Sequence, residues 1–160
     1  MGFLGRLLRL VVVAFLGIMA ASAVLAFQRK QNAPPPPDPA ADEVDLVAIF
    51  DELDFRSEST AFRGGRVETW FAGGTVDLRG ATLHPDGAVL ETQAVFGGGS
   101  ILVPADWVVE THVVGIGGAG DARGSDAPQA GPHLIIEGTA VFGGWGILTS
   151  DPRVEAPATI

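Results

Sequence analysis

The sequence predicts an all-β domain, an irregular β-solenoid or rolled β-sandwich, behind one N-terminal apolar segment. Three observations carry this expectation. The 160 residues include 22 Gly and 11 Pro, a composition that favours turn-rich β architecture over helical packing. Short runs alternate apolar and polar residues with period two, as half-buried strands do. A unit recurs in which such a run ends in an apolar residue, continues through glycines and opens a second run.

The first element is the uncharged stretch Leu10 to Phe27, LVVVAFLGIMAASAVLAF. At about 1.5 Å per helical residue its eighteen residues approach the roughly 30 Å hydrocarbon core of a bilayer. Two readings fit. In one, the segment is a permanent anchor that runs up to the cationic stop Arg29-Lys30. In the other it is a secretory signal, with Arg6 and Arg9 before the apolar region Leu10 to Met19 and a small-residue cleavage site at Ala21-Ser22-Ala23. We favour the anchor, because apolar residues continue through Val24, Leu25 and Phe27. Two positive charges lie on each side of the span, so charge bias nearly cancels. The short N-terminal tail favours N-in, domain-out. Residues 1–30 are thus anchor or signal peptide. Residues 31–41, containing QNAPPPPDPA, read as an extended polyproline spacer that holds the domain off the bilayer.

The domain is expected over residues 42–152, with 153–160 as a tail. Its units run from Arg66 through Phe71 into Ala72-Gly73-Gly74 and Thr75 to Leu78, and from Ala88 through Phe96 into Gly97-Gly98-Gly99 and Ser100 to Val103. A third leads from His112 through Ile116 into Gly117-Gly118. The fourth runs from Leu134 through Phe142 into Gly143-Gly144 and Trp145 to Leu148. The glycines are expected at tight reversals or corners, where positive φ excludes bulkier residues. Ala119 to Pro132 reads as an inserted polar loop. Between Asp42 and Phe55 the pattern allows two elements: Leu46, Ile49, Phe50 and Leu53 fit a helix, whereas Val44, Leu46, Ala48 and Phe50 fit a strand.

VETWFAGGTVDLRGATL, AVFGGGSILVPADWVVETHVVGIGGAGDAR and LIIEGTAVFGGWGIL together resemble the LiaF-like C-terminal domain of cell-wall-active-antibiotic response proteins. The resemblance covers roughly Asp45 to Leu148. Its more specific pieces are Asp77-Leu78-Arg79 before Ala81, Val103-Pro104 followed by Trp107, and Val141-Phe142-Gly143-Gly144. It implies a solenoid-like all-β fold, a first strand from Val44 to Phe50, and a regulatory role in envelope stress through contact with a membrane histidine kinase. Regulatory members carry several spans before the domain, whereas this sequence offers one.

Charge and residue types narrow the function classes. The formal net charge is −9, and Arg6, Arg9, Arg29 and Lys30 flank the apolar segment, leaving six Lys and Arg against nineteen Asp and Glu. Neutralising nucleic-acid phosphates requires a basic footprint that this domain lacks. Without Cys there is no disulfide, thiolate nucleophile or Cys-based zinc site. His84, His112 and His133 stand apart, in no metal-ligand spacing, with His84 in the turn-like His84-Pro85-Asp86-Gly87. Gly115, Gly117 and Gly120 match the glycines of GxGxxG, but the residues that follow break a helix, so these glycines read as turns. An acid/base pair built from Asp77 with Glu91 or Glu110 is a weaker idea than solvated strand carboxylates.

No catalytic, metal-binding or cofactor-binding residue is therefore assigned. The candidates for an interaction surface are Trp70, Asp77, Arg79 and Trp107, although a core role suits each tryptophan better, and Asp77 and Arg79 are expected as a cross-strand ion pair. The function expected is non-enzymatic: a membrane-tethered module contacting a membrane sensor kinase or another envelope protein. A self-associating scaffold and an exported carbohydrate-binding or hydrolytic domain are the alternatives.

Overall fold

The computed structural model describes residues 3–121 and 127–149, and the chain divides into two compact units, Met1–Ala33 and Pro34–Ile160. The tail expected over 153–160 lies outside the described residues. The first unit is one helix, α1, Phe3–Gln31. It is apolar all round, and its stretch Leu4–Gln31 is long and apolar enough to cross a membrane. Arg29 and Lys30 occupy the last turn, where cations oppose the negative end of the helix dipole. Asn32 closes the helix, its side-chain amide donating to the Gln28 carbonyl at 3.1 Å. Four prolines then follow, and none of them can donate a helical N–H.

The second unit is a β-solenoid. Its strands are β1 (Glu43–Ile49), β2 (Glu52–Arg56), β3 (Gly64–Trp70), β4 (Gly73–Asp77), β5 (Ala88–Val95), β6 (Gly98–Leu102), β7 (Val108–Asp121) and β8 (His133–Leu148). Every pairing is parallel, as stacked coils require and as antiparallel hairpins would forbid. One side of the stack runs β1, β3, β5 and the first half of β8; the other runs β2, β4, β6 and the second half of β8. The all-parallel register decides against the rolled sandwich. The ambiguous stretch from Asp42 to Phe55 is likewise β, supplying both strands of the first coil.

Inward positions recur rung upon rung. Phe55, Val76, Ile101 and Ile147 are in register, all four buried, and each covers apolar area left by the coil before it. Where a row needs the backbones to meet closely, glycine stands: a Cβ on Gly138 would overlap the Thr92 carbonyl. The loops between coils carry the stack around its third side. Phe62 is fully buried there and bridges in parallel to Leu83, with the Phe62 amide on the Thr82 carbonyl at 2.8 Å.

Three expectations need correction. Glycines do not themselves turn the corners: in the second, third and fourth coils they follow the turning residue, at the start of β4 and β6 and of the second half of β8. Gly115, Gly117 and Gly120 lie within β7, extended against β8, and are not turns. The inserted loop begins later than Ala119, because β7 continues to Asp121. The proline segment from Pro34 groups with the second unit. Pro34–Pro37 border a concavity of about 220 Å³ together with Asp45–Val47 of β1 and Glu52–Phe55 of β2. The strap is fixed onward by the Glu58 amide on the Pro39 carbonyl at 2.7 Å and the Ser59 hydroxyl on Asp42 Oδ1 at 2.7 Å.

The order of the last two rungs departs from the order of the chain. After β6 the chain does not place β7 on the third coil; β8 takes that position, and β7 pairs outside β8 along its length. Among the described strands the last in chain order, β8, is thus interior to the stack, and the earlier β7 forms its end.

Candidate functional site: an exposed phenylalanine ladder

The corner of each coil is a phenylalanine. Phe50, Phe71, Phe96 and Phe142 have φ of 53°, 50°, 51° and 54°, and no other non-glycine residue described has positive φ. Left-handed backbone costs an L-residue roughly 1–2 kcal/mol, and for a bulky side chain it is a conformational outlier. The same outlier four times over is a property of the fold.

These corners bring the four rings into one stack. Centroids are 5.2 Å apart between Phe50 and Phe71, 5.1 Å between Phe71 and Phe96, and 5.1 Å between Phe96 and Phe142, with interplanar angles of 12°, 11° and 16°. The spacing follows the strand separation in a sheet, about 4.8 Å, so coil stacking itself sets ring stacking. Each pair contributes about 0.5–1.5 kcal/mol beyond its area burial, which only partly offsets the strain. Glycine would satisfy the backbone at lower cost. The ladder is also exposed: Phe50 and Phe142 are 50% and 45% accessible, and Phe71 and Phe96 half-buried. Phe50, Phe71 and Phe96 share an open groove of about 680 Å³ with Asp51, Glu52, Ala72 and Gly73. The result is an apolar strip bordered by small residues and two carboxylates.

The sequence units place apolar-glycine corners at Phe71, Phe96, Ile116 and Phe142, with the turn itself given to the glycines. Ile116 is not one. The β7 register slips between Ile116 and Gly117, with Phe142 of β8 left over at the slip, so the ladder ends at Phe142. Phe50 was missed as a corner because Asp51-Glu52 follows it where other coils have small residues. The available signal was its place at the end of an alternating run.

The four interaction-surface candidates have distinct settings. Trp107 is buried in the core, its amide donating to the Pro104 carbonyl at 3.3 Å. Trp70 is buried on the row that also holds Ile49 and Val95, facing away from the solenoid interior. Asp77 and Arg79 do pair, but within one segment rather than across strands. The Arg79 guanidinium meets both carboxylate oxygens, Nε on Oδ1 at 2.9 Å and NH2 on Oδ2 at 2.8 Å, and the Arg79 amide adds a bond to Oδ1 at 3.0 Å. Hydrogen bonding from Arg79 holds the Asp77 carboxyl below the usual carboxylate range, against the opposing effect of burial.

The remaining carboxylates of chemical interest stand among different neighbours. Glu91 accepts from Arg66 at 2.9 Å on an exposed row, and this bond raises the guanidinium's pKa further. Glu110 lies between His112, at 3.7 Å, and His133, at 3.9 Å, all three more than half exposed. Among the described residues no group of three or more His, Asp or Glu is arranged to hold a metal ion. No protein-family model, curated protein or solved structure matches the chain.

Proposed function

We propose that the chain is a membrane-tethered, non-enzymatic interaction module that offers the phenylalanine ladder to a protein partner of the cell envelope. One observation carries the reading: four partly exposed Phe side chains are held in a backbone conformation for which glycine is cheaper. Strain retained beneath an exposed apolar strip points to use of the side chain itself. A protein partner fits better than a sugar. The faces of Phe71 and Phe96 are each turned to neighbouring rings, so the ladder offers edges to apolar side chains and little free face for a pyranose ring to stack on.

The helix α1 supports tethering, with the domain outside the membrane and a cleaved, exported form as the other possibility. The resemblance to LiaF-like domains supports a regulatory or sensory role in an envelope stress response, with a membrane sensor kinase as the partner class. A photocrosslinking residue in place of Phe71 in intact cells is expected to give a discrete adduct with an envelope protein, lost when Phe96 is changed to Gly. The same residue at Arg66 is expected to give none. Equal adducts from both positions would overturn the assignment to the ladder. Protease treatment of intact and lysed cells tests the side of the membrane.

A further inference from the structure

The two ends of the solenoid are finished differently. At the first coil, Pro34–Pro37 lie beside the free edge of β1 and β2, and a proline strap offers no N–H to an incoming strand. At the other end stands β7, fourteen residues long, paired with β8 on one side and with no strand on the other among the described residues. Val108 donates its N–H to the Pro132 carbonyl at 2.9 Å, so strand alternation turns the N–H and C=O groups of Val109, Thr111, Val113 and Gly115 away from β8. Two of the residues that blunt natural edges are missing here. The strand has no Pro and no Lys, and Val113 to Gly120 carries no charge. Val114 and Ile116 are 65% and 63% exposed. The core also runs out at this rung: Val109, Val113 and Ala119 pack against it but are only partly covered.

We infer that β7 is a self-association edge, on which a second copy of this chain adds its own β7 antiparallel to close a two-fold dimer. The occupant follows from the asymmetry of the ends. Head-to-tail stacking needs two free ends and would build a fibre, whereas here a proline strap runs beside one end, leaving edge to like edge as the pairing that closes. Charge allows it. Antiparallel pairing centred on Gly115 sets Glu110 opposite Gly120, His112 opposite Gly118 and Asp121 opposite Val109, so no like charges meet across the seam. The half-covered Val109, Val113 and Ala119 of each copy then continue one core through the seam. This inference is independent of the ladder's role.

Sedimentation of the full chain in detergent micelles tests it, with two variants. Val114→Lys/Ile116→Lys places like charges across the seam at exposed positions. Thr111→Pro removes an outward-facing N–H while leaving the ladder to β8 intact. Wild type is expected to be dimeric at tens of micromolar, and each variant to weaken association at least about tenfold, with an unchanged circular dichroism spectrum. A wild-type monomer at about 100 µM would overturn the proposal, as would growth into fibres. Dimerisation of both variants as tight as wild type would also overturn it, assigning association to another surface such as α1.

Discussion

At the corner positions, side chain and backbone pull in opposite directions. Replacing Phe71 by Gly removes two stacking contacts and relieves a left-handed φ, and the two effects nearly cancel. Stability is expected to change by no more than about 1 kcal/mol, whereas Phe62→Ala in the closed core should cost about 3–5 kcal/mol; urea unfolding distinguishes them. Asp77 makes a pH-dependent contribution. Its folded-state pKa is lowered, so its stabilisation is full above the unfolded carboxylate value near 3.9 and is lost as pH falls through the folded value. Asp77→Asn should cost about 1 kcal/mol at neutral pH, a figure reduced for solvent screening because Arg79 is 38% exposed. The gap between wild type and variant should shrink below about pH 4 in parallel unfolding curves. Gly98→Ala is expected to be the most damaging of these changes, because its Cβ would overlap the Gly144 carbonyl at a φ of 137°.

At the scale of elements, period-two alternation made the strands readable, because one face of each is buried. The ends of strands were less legible. Four of the corners turn at Phe, and positive φ at Phe leaves no mark in composition or propensity, so the visible glycines were given the turning role. Trp107, with a core role the better fit on sequence grounds, is buried in the core. The proline strap reads as an extended spacer, and the structure adds its neighbours, β1 and β2. Its covering role is testable. Replacing Pro34–Pro37 by a Gly-Ser stretch should uncover the β1 and β2 edge, and light scattering should then detect assemblies larger than those of the wild type.

For the whole molecule, one apolar helix followed by a repeating β-domain was legible from hydropathy and repeats. The rung order was not, since two adjacent strands exchange places without altering any local pattern. That exchange makes β8 the partner of three strands, β5, β6 and β7. A chain ending at Pro132 is expected to lose β7 as well as β8, since β7 pairs with nothing else. The missing protection should appear at Val108 to Gly120 in amide hydrogen exchange, while β1 to β4 retain theirs.

The position of β8 also bears on synthesis. In a solenoid whose rungs follow chain order, each coil can settle on the last as it emerges, so folding keeps pace with translation. Here β7 emerges with no site to occupy and must wait for the closing sixteen residues of β8 to be made and inserted. During that interval the chain carries an unpaired, glycine-rich strand of low charge. Folding of this domain is therefore gated by synthesis of β8, and a ribosome stalled before Leu148 leaves its most adhesive strand uncovered on both edges.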